Sequence, residues 1–229
     1  MGEMIEFARE DGSKADGYLA VPPLGSGPGV LVIQEWWGLV DQIKGTCDRL
    51  ASEGFFALAP DLYGGRTVPL HEPDEAAKEM LALQLDEASA DMSGAVDVLI
   101  ERSGRPTIGV VGFCMGGGLA LALAAQRPGA IAAVAPCYGV YPWGAVQPSY
   151  EAMTAATQIH CAGRDEWFTP EAAEELAGAL GTMGLDVELH LYPESHHAFF
   201  NEDRPEVFDP AAGALLWTRL VRFFSEKLA

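Results

Sequence analysis

The stretch GVVGFCMGGGLALALAAQ, residues 109–126, constrains the fold more than any other part of the chain. Its first half is an aliphatic run that reads as a fully buried strand. Its end, LALALAAQ, consists of strong helix formers with almost no polar face, so it reads as a buried helix. No linker separates the two. A buried strand that turns directly into a buried helix implies a sheet covered by helices. Cys114 stands at the corner, with Gly112 two residues before it and Gly116 two residues after. Glycines at those positions remove the Cβ atoms that would collide in so sharp a turn. The turn lifts the central side chain above the sheet edge. It also aims the Met115 N–H and the positive helix end at the same point. Such a corner suits an activated thiol beside an oxyanion site. It equally suits a small buried residue at a tight strand–helix junction.

The rest of the chain repeats the strand–helix alternation. MIEFAR and DGYLAVP flank a Glu-Asp-Gly turn and read as a hairpin. PGVLVIQE, FFALAPDLYGG, TIGVVGF, IAAVAPCYG, TQIHCAG and DVELHLYPES read as further strands. Helical spacing occupies 40–54, 71–102 with a break at Gly94, 115–126, 169–184 and 210–228. Thr169 is placed as the N-cap of the fourth of these, with Pro170 at its first turn and Gly184 as its stop. The pattern predicts an α/β fold, about eight strands in a mostly parallel sheet with helices on both faces. With 229 residues, 49% of them hydrophobic and 21% charged, the chain is sized for one large core, so residues 1–229 are expected to form one domain.

The formal net charge of −19 speaks against nucleic acid or an anionic membrane as partner. An anionic substrate would need a local cationic site. The N-terminal MGEMIEFAREDGSK has no apolar segment of the signal-peptide kind, so a cytoplasmic location is expected. Cys47, Cys114, Cys137 and Cys161 include no Cys-x-x-Cys pair. Free thiols are expected, and no metal site or other cofactor.

If Cys114 is a nucleophile, its partners must stand in the right order. Gly112-Phe113-Cys114-Met115-Gly116 is the nucleophile elbow G-x-S-x-G with sulfur in place of oxygen. On that elbow the acid and then the histidine come from loops after later strands. Asp165 in AGRDEWFTP and the pair His196–His197 in SHHAFFN stand at those points, His197 being the first choice and His196 its rival. Asp165 also fits a turn or capping role. Trp36, Trp37, Phe113, Tyr138, Trp143, Trp167, Phe168, Phe199 and Phe200 fall near the same ends of strands. There they line an apolar cleft or pack beneath its loops.

Together, GFCMGG, AGRDEWFTP, SHHAFFN and VLVIQEWWGL resemble the dienelactone hydrolase (carboxymethylenebutenolidase-like) family of α/β-hydrolases, over nearly the whole chain. The resemblance implies an α/β-hydrolase fold. It also implies hydrolysis of lactones or small esters through an acyl-enzyme, with Cys114 as nucleophile, His197 as base and Asp165 as orienting acid. Backbone N–H groups of Met115 and Trp36 would bind the oxyanion, and Glu35 would help to deprotonate the thiol. His196 takes a glycine position of the family's Gly-His-Gly-Phe pattern. The substrate pocket is expected at Trp37, Phe113, Tyr138, Trp167, Phe199 and Asn201. Asn201 stands where well-characterised members carry an arginine for the substrate carboxylate. Arg66 and Arg204 are the candidates to replace it, although both read more simply as solvated loop residues. The other class of function is a redox-sensing or non-catalytic thiol protein, with Cys137 or Cys161 as resolving partner.

Overall fold

Successive side chains of a strand point to opposite faces of its sheet, so each strand feeds two cores. The computed structural model describes residues 1–139, 141–144 and 148–229. The hairpin is present as Glu3–Ala8 (β1) and Lys14–Ala20 (β2). Gly29–Ile33 (β3), Phe56–Pro60 (β4), Ile108–Phe113 (β5), Ile131–Cys137 (β6), Ala156–Ala162 (β7) and Val187–Tyr192 (β8) complete one eight-stranded sheet. Its order is β1-β2-β4-β3-β5-β6-β7-β8. The β1–β2 and β2–β4 pairs are antiparallel, and every pair from β4 to β8 is parallel.

Asp41–Ser52 (α1) and Pro210–Lys227 (α6) cover one face. Pro73–Ala82 (α2), Leu85–Ser103 (α3), Met115–Gln126 (α4) and Pro170–Thr182 (α5) lie on the other. On β3, Val30 and Val32 share a core with Ile43 of α1 and Leu220 of α6. Leu31 and Ile33 point the opposite way, into the core that holds Val96 and Leu99 of α3 and Leu119 of α4. A strand covered on both faces has no polar side, which is why β3 and β5 read as unbroken apolar runs. Thr169 caps α5 through its hydroxyl, which accepts from the Ala172 N–H. No helix of the described residues is long and apolar enough to cross a membrane.

The helical region 71–102 is interrupted at Leu83–Gln84, not at Gly94. Gly94 lies inside α3, where the helix crosses β1. A Cβ there would stand 2.7 Å from the Ala8 carbonyl oxygen and 3.2 Å from the Phe7 ring. The glycine marks a close approach rather than a stop. Gly94→Ala is therefore expected to destabilise the fold by about 1–3 kcal/mol. Gly178→Ala, in α5 with nothing near its Cβ position, should be neutral or stabilise by up to about 1 kcal/mol. Thermal unfolding of the two variants checks this, and equal shifts would remove the close approach as the reason for Gly94.

The connections place the functional end of the sheet. From β3 the chain moves to one side to form β4, then crosses back to form β5 on the other side of β3. The crevice beyond the C-terminal ends of β3 and β5 lies at this reversal, the usual ligand position in open α/β sheets. Glu35 and Trp36 leave β3 there, and Cys114 leaves β5.

Candidate active site

Cys114 joins β5 to α4 with φ 56° and ψ −121°. That left-handed conformation costs a non-glycine residue about 1–3 kcal/mol, and it persists only where the surroundings enforce it. Here the Cys114 N–H is held by the Cys137 carbonyl at 3.1 Å. The flanking glycines are required by space. A Cβ at Gly112 would stand 1.9 Å from the Gly116 carbonyl oxygen, and one at Gly116 would stand 2.5 Å from that of Gln34. Tyr138 and Ala198 are the other non-glycine residues of positive φ among the described residues, and both adjoin the same crevice. Neither position announces itself in the sequence.

Asp165 and His197 arrive from the loops after β7 and β8. The His197 Nδ1–H donates to the Asp165 carboxylate, 2.9 Å from Oδ2 and 3.1 Å from Oδ1. Asp165 Oδ1 also accepts from the N–H groups of Trp167 at 2.8 Å and Phe168 at 3.0 Å. The carboxylate is thus fixed by its own turn before it meets the imidazole. Its side chain is fully buried, which strengthens its pull on the ring. Nε2 is left for the Cys114 side. Burial opposes a charge on His197, but the Cys114 sulfur and the bonded Asp165 outweigh it and push the ring up to about 10. His196 is exposed on the cleft rim, and no hydrogen bond ties it to Asp165.

Glu35 is 1% exposed, immediately behind this group. Its Oε1 accepts from the Tyr138 hydroxyl at 3.1 Å and its Oε2 from the Asn201 amide at 2.8 Å. Burial raises its carboxyl above the usual range, although Asn201, the His197 charge and Tyr138 all oppose the rise. Both of its hydrogen bonds go to neutral donors, and neither goes to the Cys114 thiol. Among the described residues the backbone N–H groups of Trp36 and Met115 donate to no other backbone carbonyl. Trp36 lines the cleft, and Met115 opens α4 directly after Cys114.

A cleft of about 720 Å³ opens over Cys114 and His197, with Trp36, Phe168 and Trp167 on its wall. Trp167 is 63% exposed and lies against His197 and Trp36. Four of the other expected pocket residues lie beneath the cleft, fully buried. Phe113 stacks on Phe200, with ring centroids 5.3 Å apart. Phe199 packs against Tyr138 and Tyr192. Trp37 turns into a small core with Val68 and Ala76. A large apolar ring at a strand end gains more by entering the core than by lining a wet cleft. Asn201 is also buried and is committed to Glu35, so it does not line the cleft.

Of the two arginines named from the sequence, Arg204 lines the cleft and Arg66 does not, while Arg164 on its wall was not indicated. Arg204 lies there, over the Trp37 ring, with its Nε donating to Glu206 at 2.8 Å. Arg164 lines it too and is paired with Glu194. Arg66 pairs with Glu79 at 3.0 Å in a separate, polar hollow. All four cysteines are free and buried. Burial pushes the Cys137 thiol up, and burial together with Asp165 pushes that of Cys161 up to about 12.

The model of the dienelactone hydrolase family matches residues 15–228. "Protein usf" of Aquifex pyrophilus is 38% identical over the full length of both chains. "Putative carboxymethylenebutenolidase" of Aquifex aeolicus is 36% identical, again over the full length of both. Among solved structures, the "Putative Dienelactone Hydrolase" of Klebsiella pneumoniae superimposes with a TM-score of 0.83 at 23% identity, covering 98% of this chain and 99% of that one. That likeness establishes a shared fold.

Proposed function

The chain belongs to the dienelactone hydrolase family, and from that premise we propose that it hydrolyses lactones or small esters through a thiolate on Cys114. The observation that carries this reading is the His197 imidazole, bonded to Asp165 on one side and facing a strained elbow cysteine on the other.

The cycle begins when the Cys114 thiol passes its proton to His197. Sγ attacks the substrate carbonyl carbon, a C–S bond forms, and the carbonyl π pair moves onto oxygen. The N–H groups of Met115 and Trp36 take up that oxyanion. As it collapses, the C–O bond breaks and His197 gives its proton to the leaving oxygen, leaving a thioester. A lactone opens at this step and stays attached. His197, now neutral, takes a proton from water as the water oxygen attacks the thioester. The C–S bond breaks, the acid departs, and the thiolate–imidazolium pair is restored. Asp165 holds the ring in one tautomer throughout. Glu35 adds negative charge behind the imidazolium when it is ionised. The buried, high thiols of Cys137 and Cys161 are poor resolving partners, which counts against the redox-sensing alternative.

The test is turnover of p-nitrophenyl acetate by the purified chain, extended to matched neutral and carboxylated esters. Both guanidinium groups of the cleft are already paired with carboxylates, and Asn201 is out of reach. Neutral substrates are therefore expected to show kcat/KM values at least equal to those of their anionic analogues. A strong preference for the anion, removed by Arg204→Ala, would show instead that Arg204 supplies the missing charge. Absence of turnover on every ester and lactone would overturn the proposed function.

A further inference from the structure

The cleft is larger than a small lactone requires, and its polar groups are not evenly spread. Gly118 and Leu121 line it, and both lie on α4. They follow Cys114 by four and seven residues, so all three share one face of the helix. At 1.5 Å per residue this face runs about 10 Å from the thiol to Leu121. Met80 of α2, Tyr141, Tyr150 and Leu176 of α5 also line the cleft and pack with Leu121 in one apolar cluster. None of these side chains carries a charge. The arginines and the carboxylate of the lining, Arg164, Arg204 and Glu166, come with His196 from the loops after β7 and β8, the same loops that carry Asp165 and His197.

Chemistry fixes which part of a substrate goes where. The leaving oxygen must face His197, because the ring gives it a proton. The leaving group therefore lies on the side of the two loops, and the acyl group points away from them. We infer that the face of α4 running from Cys114 to Leu121 is an apolar acyl channel, and that the enzyme acts on esters with an extended apolar acyl group. This rests on the proposed hydrolase reading and adds the substrate class to it.

The experiment is a series of p-nitrophenyl esters, from acetate through butyrate and hexanoate to octanoate, on the wild-type chain. Each methylene that leaves water on entering the channel should raise kcat/KM by about fourfold, so butyrate should exceed acetate by about tenfold or more. In Leu121→Trp, which blocks the far end, the ratio of hexanoate to acetate kcat/KM should fall by about tenfold or more. In Leu121→Ala, which extends the channel, the ratio of octanoate to butyrate should rise. The wild-type series decides even where a variant fails to fold. Acetate as the best ester, or a flat series, overturns the channel but leaves the hydrolase reading intact. Unchanged ratios in folded Leu121 variants also overturn the channel. No turnover of any member, acetate included, would instead remove the hydrolase reading on which the channel rests.

Discussion

Replacing Cys114 with alanine is expected to abolish ester hydrolysis, with a loss on the order of 10⁴-fold or more in kcat/KM. In the proposed mechanism the sulfur is the only group that forms a bond to substrate, so no neighbour can take over its step. The surrounding machinery would leave a small residual rate, because the oxyanion donors and the imidazole still act on water. A thiol-directed reagent should separate Cys114 from the other cysteines. Iodoacetamide is expected to modify Cys114 first and to stop turnover in proportion. Cys47, Cys137 and Cys161 are shielded, and burial pushes their thiols up, so they should react slowly. Loss of activity must not reflect unfolding, and the elbow offers an internal check. Cys114→Gly relieves a φ of 56°, so it should melt no lower than wild type while being equally inactive. Full activity in Cys114→Ala, or labelling that inactivates through another cysteine, would remove Cys114 from the mechanism.

The elbow was readable because its geometry restricts residue type. Gly112 and Gly116 face backbone atoms that no side chain could approach so closely, and a residue between them has one place to point. Order along the chain pointed to Asp165 and to the His196–His197 pair, since each follows a parallel strand at the same sheet edge, and the family resemblance chose His197 within the pair. The central strands β3, β4 and β5 were legible for a similar reason, because burial on both faces forces continuous apolar runs. What lay outside the reach of sequence was the direction of side chains in loops. Nine aromatic residues fall near that edge, but Trp37, Phe113, Tyr138 and Phe199 turn into the core while Trp167 stands in the cleft. Nothing in their local sequence distinguishes them. The support of Glu35 was hidden by distance along the chain, since Tyr138 lies 103 residues away and Asn201 lies 166 residues away. Gly94 misled for a related reason. A helix glycine required by contact with another strand looks the same in sequence as one that ends a helix.

The histidine pair gives the second large effect. His197→Ala is expected to lower kcat by at least about 10²-fold, the usual contribution of a positioned general acid–base. His196→Ala should change it far less, since His196 is exposed on the rim while Asp165 holds the His197 Nδ1–H. Alkylation of Cys114 should also slow in His197→Ala at neutral pH, because the proposed acceptor of the thiol proton is gone. The same pairing makes stability depend on pH with a defined sign. Burial alone would lower the ring, but Cys114 and Asp165 lift it to about 10, above its ordinary 6.5. A group raised on folding contributes fully below its unfolded value and loses that contribution as pH climbs through the folded one. The melting temperature of wild type relative to His197→Ala should therefore be highest near pH 6 and should decline between about pH 7 and pH 10. His196→Ala should show no such decline relative to wild type. A reversed ranking of the two variants in kcat, together with a pH-dependent stability difference in His196→Ala, would mean that the neighbouring ring is the one paired with Asp165.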